Sequence, residues 1–246
     1  MDPASRLWEI DTARGIAILM MVVYHTVYDL AFFGLYPVAA TTGFWRFFAY
    51  ATASLFLFIA GVSLVVSHDR AAATLSGFAL AKKFLFRGAG IFCLGLLVTL
   101  ATWLYLHEGF VLFGILHLIG VSVMLSPLFF RFGKGNIALG LACIAAGWLI
   151  AGTTGPAFLL PLGITPPGFM SVDYTPLLPW FGMVLIGMGA GASLYAGGTR
   201  QFSLNRLPEF FIAPLSFLGR HSLVIYLLHQ PVIILLLGLL TGTKVV

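Results

Sequence analysis

The sequence predicts an all-α, polytopic membrane bundle of about seven transmembrane helices, and three observations predict it. Of its 246 residues, 60% are hydrophobic and 9% are charged. An ordinary soluble domain is roughly 45–50% apolar and about 25% charged, so water is the wrong solvent for this chain. Seven apolar runs, near residues 14–33, 45–66, 84–106, 110–130, 137–153, 178–196 and 222–240, have about the length that crosses a hydrocarbon core. The Lys and Arg residues fall alternately on the two sides of those runs.

The first run follows Arg14 and lacks a small-residue cleavage pattern, so it reads as a retained helix rather than a signal peptide. The second, third and fourth are long and uninterrupted. The fifth is short and rich in Gly and Ala. The sixth carries Gly182, Gly187, Gly189 and Gly191. Without the Lys and Ser/Thr of a phosphate-binding loop, these glycines point to close helix packing, with Gly187 and Gly191 at small-xxx-small spacing. Before the sixth run, segment 155–179 holds Pro156, Pro161, Pro166, Pro167, Pro176 and Pro179, which predicts an irregular cap over the outer face. After it, segment 197–221 is more polar and carries Pro208 and Pro214. Its stretch Phe210–Leu218 is too short to span and reads as interfacial. The length fits a single transmembrane domain over residues 1–246, with no separate soluble domain.

Eleven basic residues fall on one side: Arg6, Arg14, Arg70, Lys82, Lys83, Arg87, Arg131, Lys134, Arg200, Arg206 and Arg220. Arg46 and Lys244 fall on the other. By the positive-inside rule the N-terminus is cytoplasmic and the C-terminus outside. Trp45, Trp103, Trp148 and Trp180 lie near the outer helix ends, where an indole keeps its N–H wet. The net charge of +5 is explained by orientation and gives no reason to expect nucleic acid. Cys93 and Cys143 sit inside apolar runs and suggest neither a disulfide nor a zinc site.

Ionisable residues within a span are costly and mark function by default. His25, His117 and His229 qualify, at roughly 16 Å inward of Arg14, roughly 10 Å from Phe110 and roughly 13 Å inward of Arg220. They can meet near the midplane if their helices are neighbours. Asp29 lies four residues after His25, on the same helix face. A carboxylate there can orient an imidazole and stabilise its charged form, as a general base or nucleophile requires. Tyr24, Tyr28 and Tyr226 supply hydroxyls nearby. The competing explanation is that such residues only knit helices together, which serves His117 as well as catalysis does. Without a tight ligand motif such as HExxH, no metal is expected. The basic rim of Arg14, Lys82, Lys83, Arg87 and Arg220 orients the protein and can also hold phosphate.

The stretch IDTARGIAILMMVVYHTVYDL (Ile10–Leu30) resembles the first helix of bacterial relatives of the heparan-alpha-glucosaminide N-acetyltransferase catalytic domain. FGILHLIGV (Phe113–Val121), DYTPLLPWFG (Asp173–Gly182) and LGRHSLVIYLLHQPVI (Leu218–Ile233) follow in family order. A more distant likeness joins Arg14 and His25, ten residues between them, to the Arg-x10-His arrangement of acyltransferase-3 membrane enzymes. The resemblance implies an integral membrane acyltransferase of the bacterial cytoplasmic membrane. It would take an acetyl group from cytoplasmic acetyl-CoA and pass it to a sugar or lipid-linked acceptor on the far side. The likeness maps acyl transfer onto Arg14 and His25; the reading of the residues adds Asp29, His117 and His229 as catalytic candidates and the basic rim for the CoA phosphates. Asp173 and Tyr28 fall on the acceptor side. Its partners are the bilayer, the acyl donor and the acceptor, with self-association left open. The chain departs from the lysosomal branch: it has no outer HxSWNG segment and no histidine between His25 and His68. His25 therefore rests on the bacterial and acyltransferase-3 likeness.

A proton-coupled carrier of a small solute needs the same midplane His–Asp site, and is the alternative function. A structural subunit whose polar residues only pack helices is the third. The orientation itself has a direct check. Fused at the C-terminus, alkaline phosphatase is expected to be active and a fluorescent protein dark; the reverse pattern would invert the topology.

Overall fold

The computed structural model of the chain describes residues 7–205 and 208–242. Arg6, Arg206 and Lys244 of the charge pattern lie outside these residues. Eight α-helices are described: α1 (Trp8–Phe32), α2 (Gly43–Ala72), α3 (Gly77–Leu106), α4 (Ile115–Phe129), α5 (Asn136–Leu149), α6 (Leu177–Leu194), α7 (Glu209–Arg220) and α8 (Ser222–Thr241). The described residues contain no β-strand, only an isolated bridge between Thr154 and Thr165. The protein is all-α, and it is a multi-pass membrane protein.

Six helical stretches are long and apolar enough to cross a membrane, the fourth being Ile115–Leu149. That fourth stretch holds both α4 and α5 and doubles back. The Ile115 N–H, at the start of α4, donates to Asp173 Oδ2 at 3.1 Å. Gly147, in the last turn of α5, lies against Pro179. Asp173 and Pro179 are joined by so few residues that they stand at most about 21 Å apart. A straight helix over the same stretch would be about 52 Å long. The reversal occurs at Phe130–Gly135, where Gly133 takes φ 49° and ψ −122°. Asn136 holds the turn, donating through Nδ2 to the carbonyls of Phe129 and Gly133, each at 3.0 Å. Each of the seven apolar runs read from the sequence thus has its own helix.

The helix ends differ from the runs for physical reasons. α3 begins at Gly77, ahead of the apolar run, because Lys82, Lys83 and Arg87 are exposed and helical hydrogen bonding continues past the apolar stretch. α4 begins at Ile115 instead of 110, because residues 109–113 are paired with another segment. Val172 N–H donates to Gly109 O and Thr175 N–H to Phe113 O, both at 2.8 Å.

The chain forms two compact units, one from residues 1–56 with 204–246, the other from residues 57–203. In the first, α7 runs antiparallel along the first half of α1. Thr12 Oγ1 and Ser216 Oγ are 2.9 Å apart, Gly15 meets the Leu215 backbone, and Gly219 meets the Asp11 carbonyl. A Cβ at Gly219 would land on that carbonyl oxygen. α7 has 12 residues, about 18 Å, and exposes Phe210, Phe211 and Phe217. Glu209 opens it and Arg220 closes it, each complementing the helix dipole. This is the form of an interfacial helix rather than a span. α8 follows after one residue, His221.

In the second unit α6 is flanked by glycine contacts on two sides. Gly182 meets Gly140 O of α5, and Gly189 meets Ile137. Gly187 meets Phe58 O of α2, and Gly191 meets Val62 and Val65. α3 and α4 close in the same way through Gly88 and Gly120. Small residues let backbones approach where no water drives helices together. The loop after α6 is clamped by the end of α2. Arg70 Nε and Nη2 donate to Gly198 O at 3.1 and 3.0 Å, and Asp69 Oδ2 accepts from Gly197 N–H at 3.0 Å.

Gly187→Val places methyl groups on the Phe58 carbonyl and is expected to destabilise the protein by about 1–3 kcal/mol or more. Gly90→Ala meets open space and should leave stability intact. Thermal unfolding in detergent compares the two; equal melting temperatures would remove the packing role from Gly187.

Candidate active site

α1 and α8 bring four polar side chains together in the first unit. His25 Nδ1 is 2.9 Å from the Met21 carbonyl, one turn earlier on α1. A carbonyl only accepts, so Nδ1 carries the proton and the neutral ring has its lone pair on Nε2. His229 has the same tautomer for the same reason, with Nδ1 2.6 Å from the Tyr226 carbonyl. The two imidazoles meet edge to face, with centroids 4.8 Å apart and planes at 70°. Tyr24 packs edge-on to His25 and Tyr226 lies against His229, at 5.6 and 5.5 Å. Tyr28 stacks on Phe32 at 5.9 Å.

Asp29 is 2% exposed. Its expected partner was His25, but its hydrogen bonds go elsewhere. Gln230 Nε2 lies 2.7 Å from Asp29 Oδ1 and 2.9 Å from Oδ2. His25 and Asp29 remain neighbours on one face of α1, each tied to a different group. The sequence reasoning passed over Gln230. A signal was available, because an amide beside His229 in an apolar helix needs a polar partner within the protein. Its Oε1 is buried and has no hydrogen-bond partner among the described residues.

At the start of α1, Arg14 Nη1 pairs with Asp11 Oδ1 at 3.0 Å and lies 3.5 Å from the Gly219 carbonyl. Its guanidinium thus sits at the C-terminal end of α7, where a cation complements the helix dipole. Arg220 is exposed at the same helix end. Lys82, Lys83 and Arg87 belong to the second unit and are exposed on α3. Lys82 Nζ lies over Phe86 at 5.5 Å, Lys83 Nζ over Phe84 at 5.8 Å, and Arg87 Nη1 is 3.5 Å from Ser67 Oγ.

His117 also belongs to the second unit, and it has the opposite tautomer. The Gly114 N–H donates to its Nδ1 at 3.2 Å, so Nδ1 is unprotonated. Nε2 then carries the proton and lies 3.4 Å from Thr99 Oγ1. The ring is 1% exposed, with Phe113 stacked at 5.7 Å, Phe92 edge-on at 5.2 Å and Gly95 against it. Asp173 completes this helix cap: Oδ2 accepts from Ile115 N–H at 3.1 Å and Oδ1 from Thr175 Oγ1 at 2.8 Å. Nearby, the Tyr174 hydroxyl donates to Leu160 O at 2.7 Å, and burial pushes this phenol above its ordinary range. Among the described residues, no group of three or more His, Cys, Asp or Glu side chains is arranged to hold a metal ion.

A multi-pass helical protein that keeps a carboxylate, an amide and two imidazoles between two spanning helices belongs to the class of membrane proteins with a polar site within the bilayer, a class that holds enzymes and proton-coupled carriers alike. The particular family is shown by its catalytic-domain profile, described as heparan-alpha-glucosaminide N-acetyltransferase, catalytic, which matches residues 6–231. The chain belongs to that family and is a membrane-bound enzyme of the acetyltransferase type. No curated protein and no solved structure matches it.

Asp173→Ala removes the acceptor of the first α4 N–H and is expected to lower stability by about 1–2 kcal/mol. Chemical or thermal unfolding of the purified protein measures it; an unchanged midpoint would deny Asp173 its capping role.

Proposed function

We propose that the protein transfers an acetyl group from cytoplasmic acetyl-CoA to an amine or hydroxyl of a sugar or lipid-linked acceptor on the far side of a bacterial cytoplasmic membrane. The observation that carries this reading is the His25–His229 pair beside buried Asp29, inside the stretch matched by the family. His25 is the general base in this reading. Its Nε2 takes the proton of the acceptor N–H or O–H as the acceptor attacks the thioester carbonyl. The C–S bond breaks, and the proton passes to the sulfur to release CoA. Histidine is suited to both halves of that exchange. His229, 4.8 Å away, is the neighbour through which the proton can be passed. Asp29, on the same face of α1 as His25, stabilises the imidazolium formed between the two halves.

Arg14 and Arg220 supply positive charge at the α1 and α7 ends for the CoA phosphates, and Lys82, Lys83 and Arg87 are a separate basic group on α3. Arg14 would serve twice, since it also closes α7. His117 and Asp173 are better placed to build the α4 cap than to react, because both imidazole nitrogens and both carboxylate oxygens are engaged. Tyr28 offers a hydroxyl on the acceptor side.

His25→Ala is expected to lower acetyl transfer from acetyl-CoA to a glucosaminide probe by about 10²–10⁴-fold while the melting temperature holds. Arg14→Ala is expected to raise KM for acetyl-CoA about tenfold or more, as the loss of a charged hydrogen bond implies. Thiol release by the purified protein in lipid nanodiscs reads both. Full turnover in His25→Ala would end the base assignment, and solute flux without CoA would favour a carrier.

A further inference from the structure

Asp29 and Gln230 come from opposite ends of the chain, and their bond links α1 to α8. If this contact served only to fasten two helices, a neutral pair would do so at lower cost. Asn with Gln makes the same amide hydrogen bond without putting an ionisable carboxyl in hydrocarbon. The carboxyl is therefore more than a fastener requires. Gln230 holds it in an unusual way. Lys or Arg would neutralise the acid, whereas the amide fixes both oxygens and adds no charge. The amide group also has one orientation, with Nε2 toward Asp29 and Oε1 buried away from any partner among the described residues. Leaving a buried amide oxygen unmatched is costly. The arrangement accepts that penalty and keeps Asp29 as a pure hydrogen-bond acceptor.

Position gives this a purpose. Asp29 lies one turn from His25 on α1, and Gln230 is next to His229 on α8. The two contacts are successive rungs between the same helices, His25 with His229 and Asp29 with Gln230. Fixing the second rung fixes the distance from the carboxylate to the first.

We propose that Gln230 is a positioning residue for the transfer reaction: it holds Asp29, un-neutralised, on the α1 side of the site, beside the imidazole that takes the proton. The inference rests on the acyl-transfer reading and extends it to a residue with no direct part in the chemistry.

The test exchanges the two groups. Asp29→Asn with Gln230→Glu preserves one carboxyl, one amide and the interhelical hydrogen bond, but moves the carboxyl to α8. A fastening role predicts wild-type turnover for this double variant. The positioning role predicts a melting temperature within a few degrees of the unaltered protein and kcat lowered by about 10²-fold. KM for acetyl-CoA should stay within about threefold, because Asp29 lies about 22 Å along α1 from Arg14. Gln230→Met keeps the side-chain length without the hydrogen bonds. It is expected to lower kcat by about tenfold at constant KM, and it answers the question if the double variant does not fold. All forms are assayed in lipid nanodiscs by thiol release from acetyl-CoA with a glucosaminide probe. Near-normal kcat in either folded variant overturns the inference and leaves acyl transfer standing. No acetyl-CoA-dependent transfer by the unaltered protein would sink the acyl-transfer reading itself, and the inference with it.

Discussion

In hydrocarbon there is no water to complete a hydrogen bond, so each polar group that enters must find its partner within the protein. Most of the structure follows from that constraint. His25 and His229 turn their Nδ1–H groups onto carbonyls of their own helices. Asp29 draws an amide from α8. His117 gives its Nδ1 to a backbone N–H at the start of α4, and Asp173 takes the next one. Where a helix has no polar group to match, backbones close directly through glycine, as at Gly187 and Gly219.

The same constraint leaves the three histidines of the spans in different hydrogen-bonding states. His117 is buried, while His25 and His229 are half-buried. His117 has both nitrogens engaged within the cap it completes, so a proton could enter only by breaking the α4 start. His25 bonds through Nδ1 and presents Nε2 as its basic nitrogen. Residue type would not distinguish them; the backbone partner decides the tautomer, and the tautomer decides the chemistry available.

Much of the architecture was legible because hydropathy reports burial in lipid directly. The seven runs found their helices, including the short fifth one at Asn136–Leu149. The glycines of α6 were read as packing residues and lie against α2 and α5. Phe210–Leu218 was too short to span, and it falls within α7. What was missed depended on tertiary partners. Asp29 was assigned to His25 by spacing along α1, but its hydrogen bonds come from Gln230, far away in the sequence. His117 looked like its companions, since the cap it makes with Gly114 depends on where α4 starts. That start was misplaced because Phe110–Gly114 is as apolar as the helix it precedes, and its bonds to residues 172–175 are not visible in local sequence.

The two glycine faces of α6 give this helix a role like that of a shim. Gly182 and Gly189 set its distance from α5, while Gly187 and Gly191 set its distance from α2. Both faces are indexed to one helical phase. Inserting or deleting a single residue in α6 would rotate everything beyond it by about 100°. Bulky side chains would then swing into positions where backbones now touch, on two sides at once. Substitutions that keep small residues in place can drift, but the length of this segment cannot.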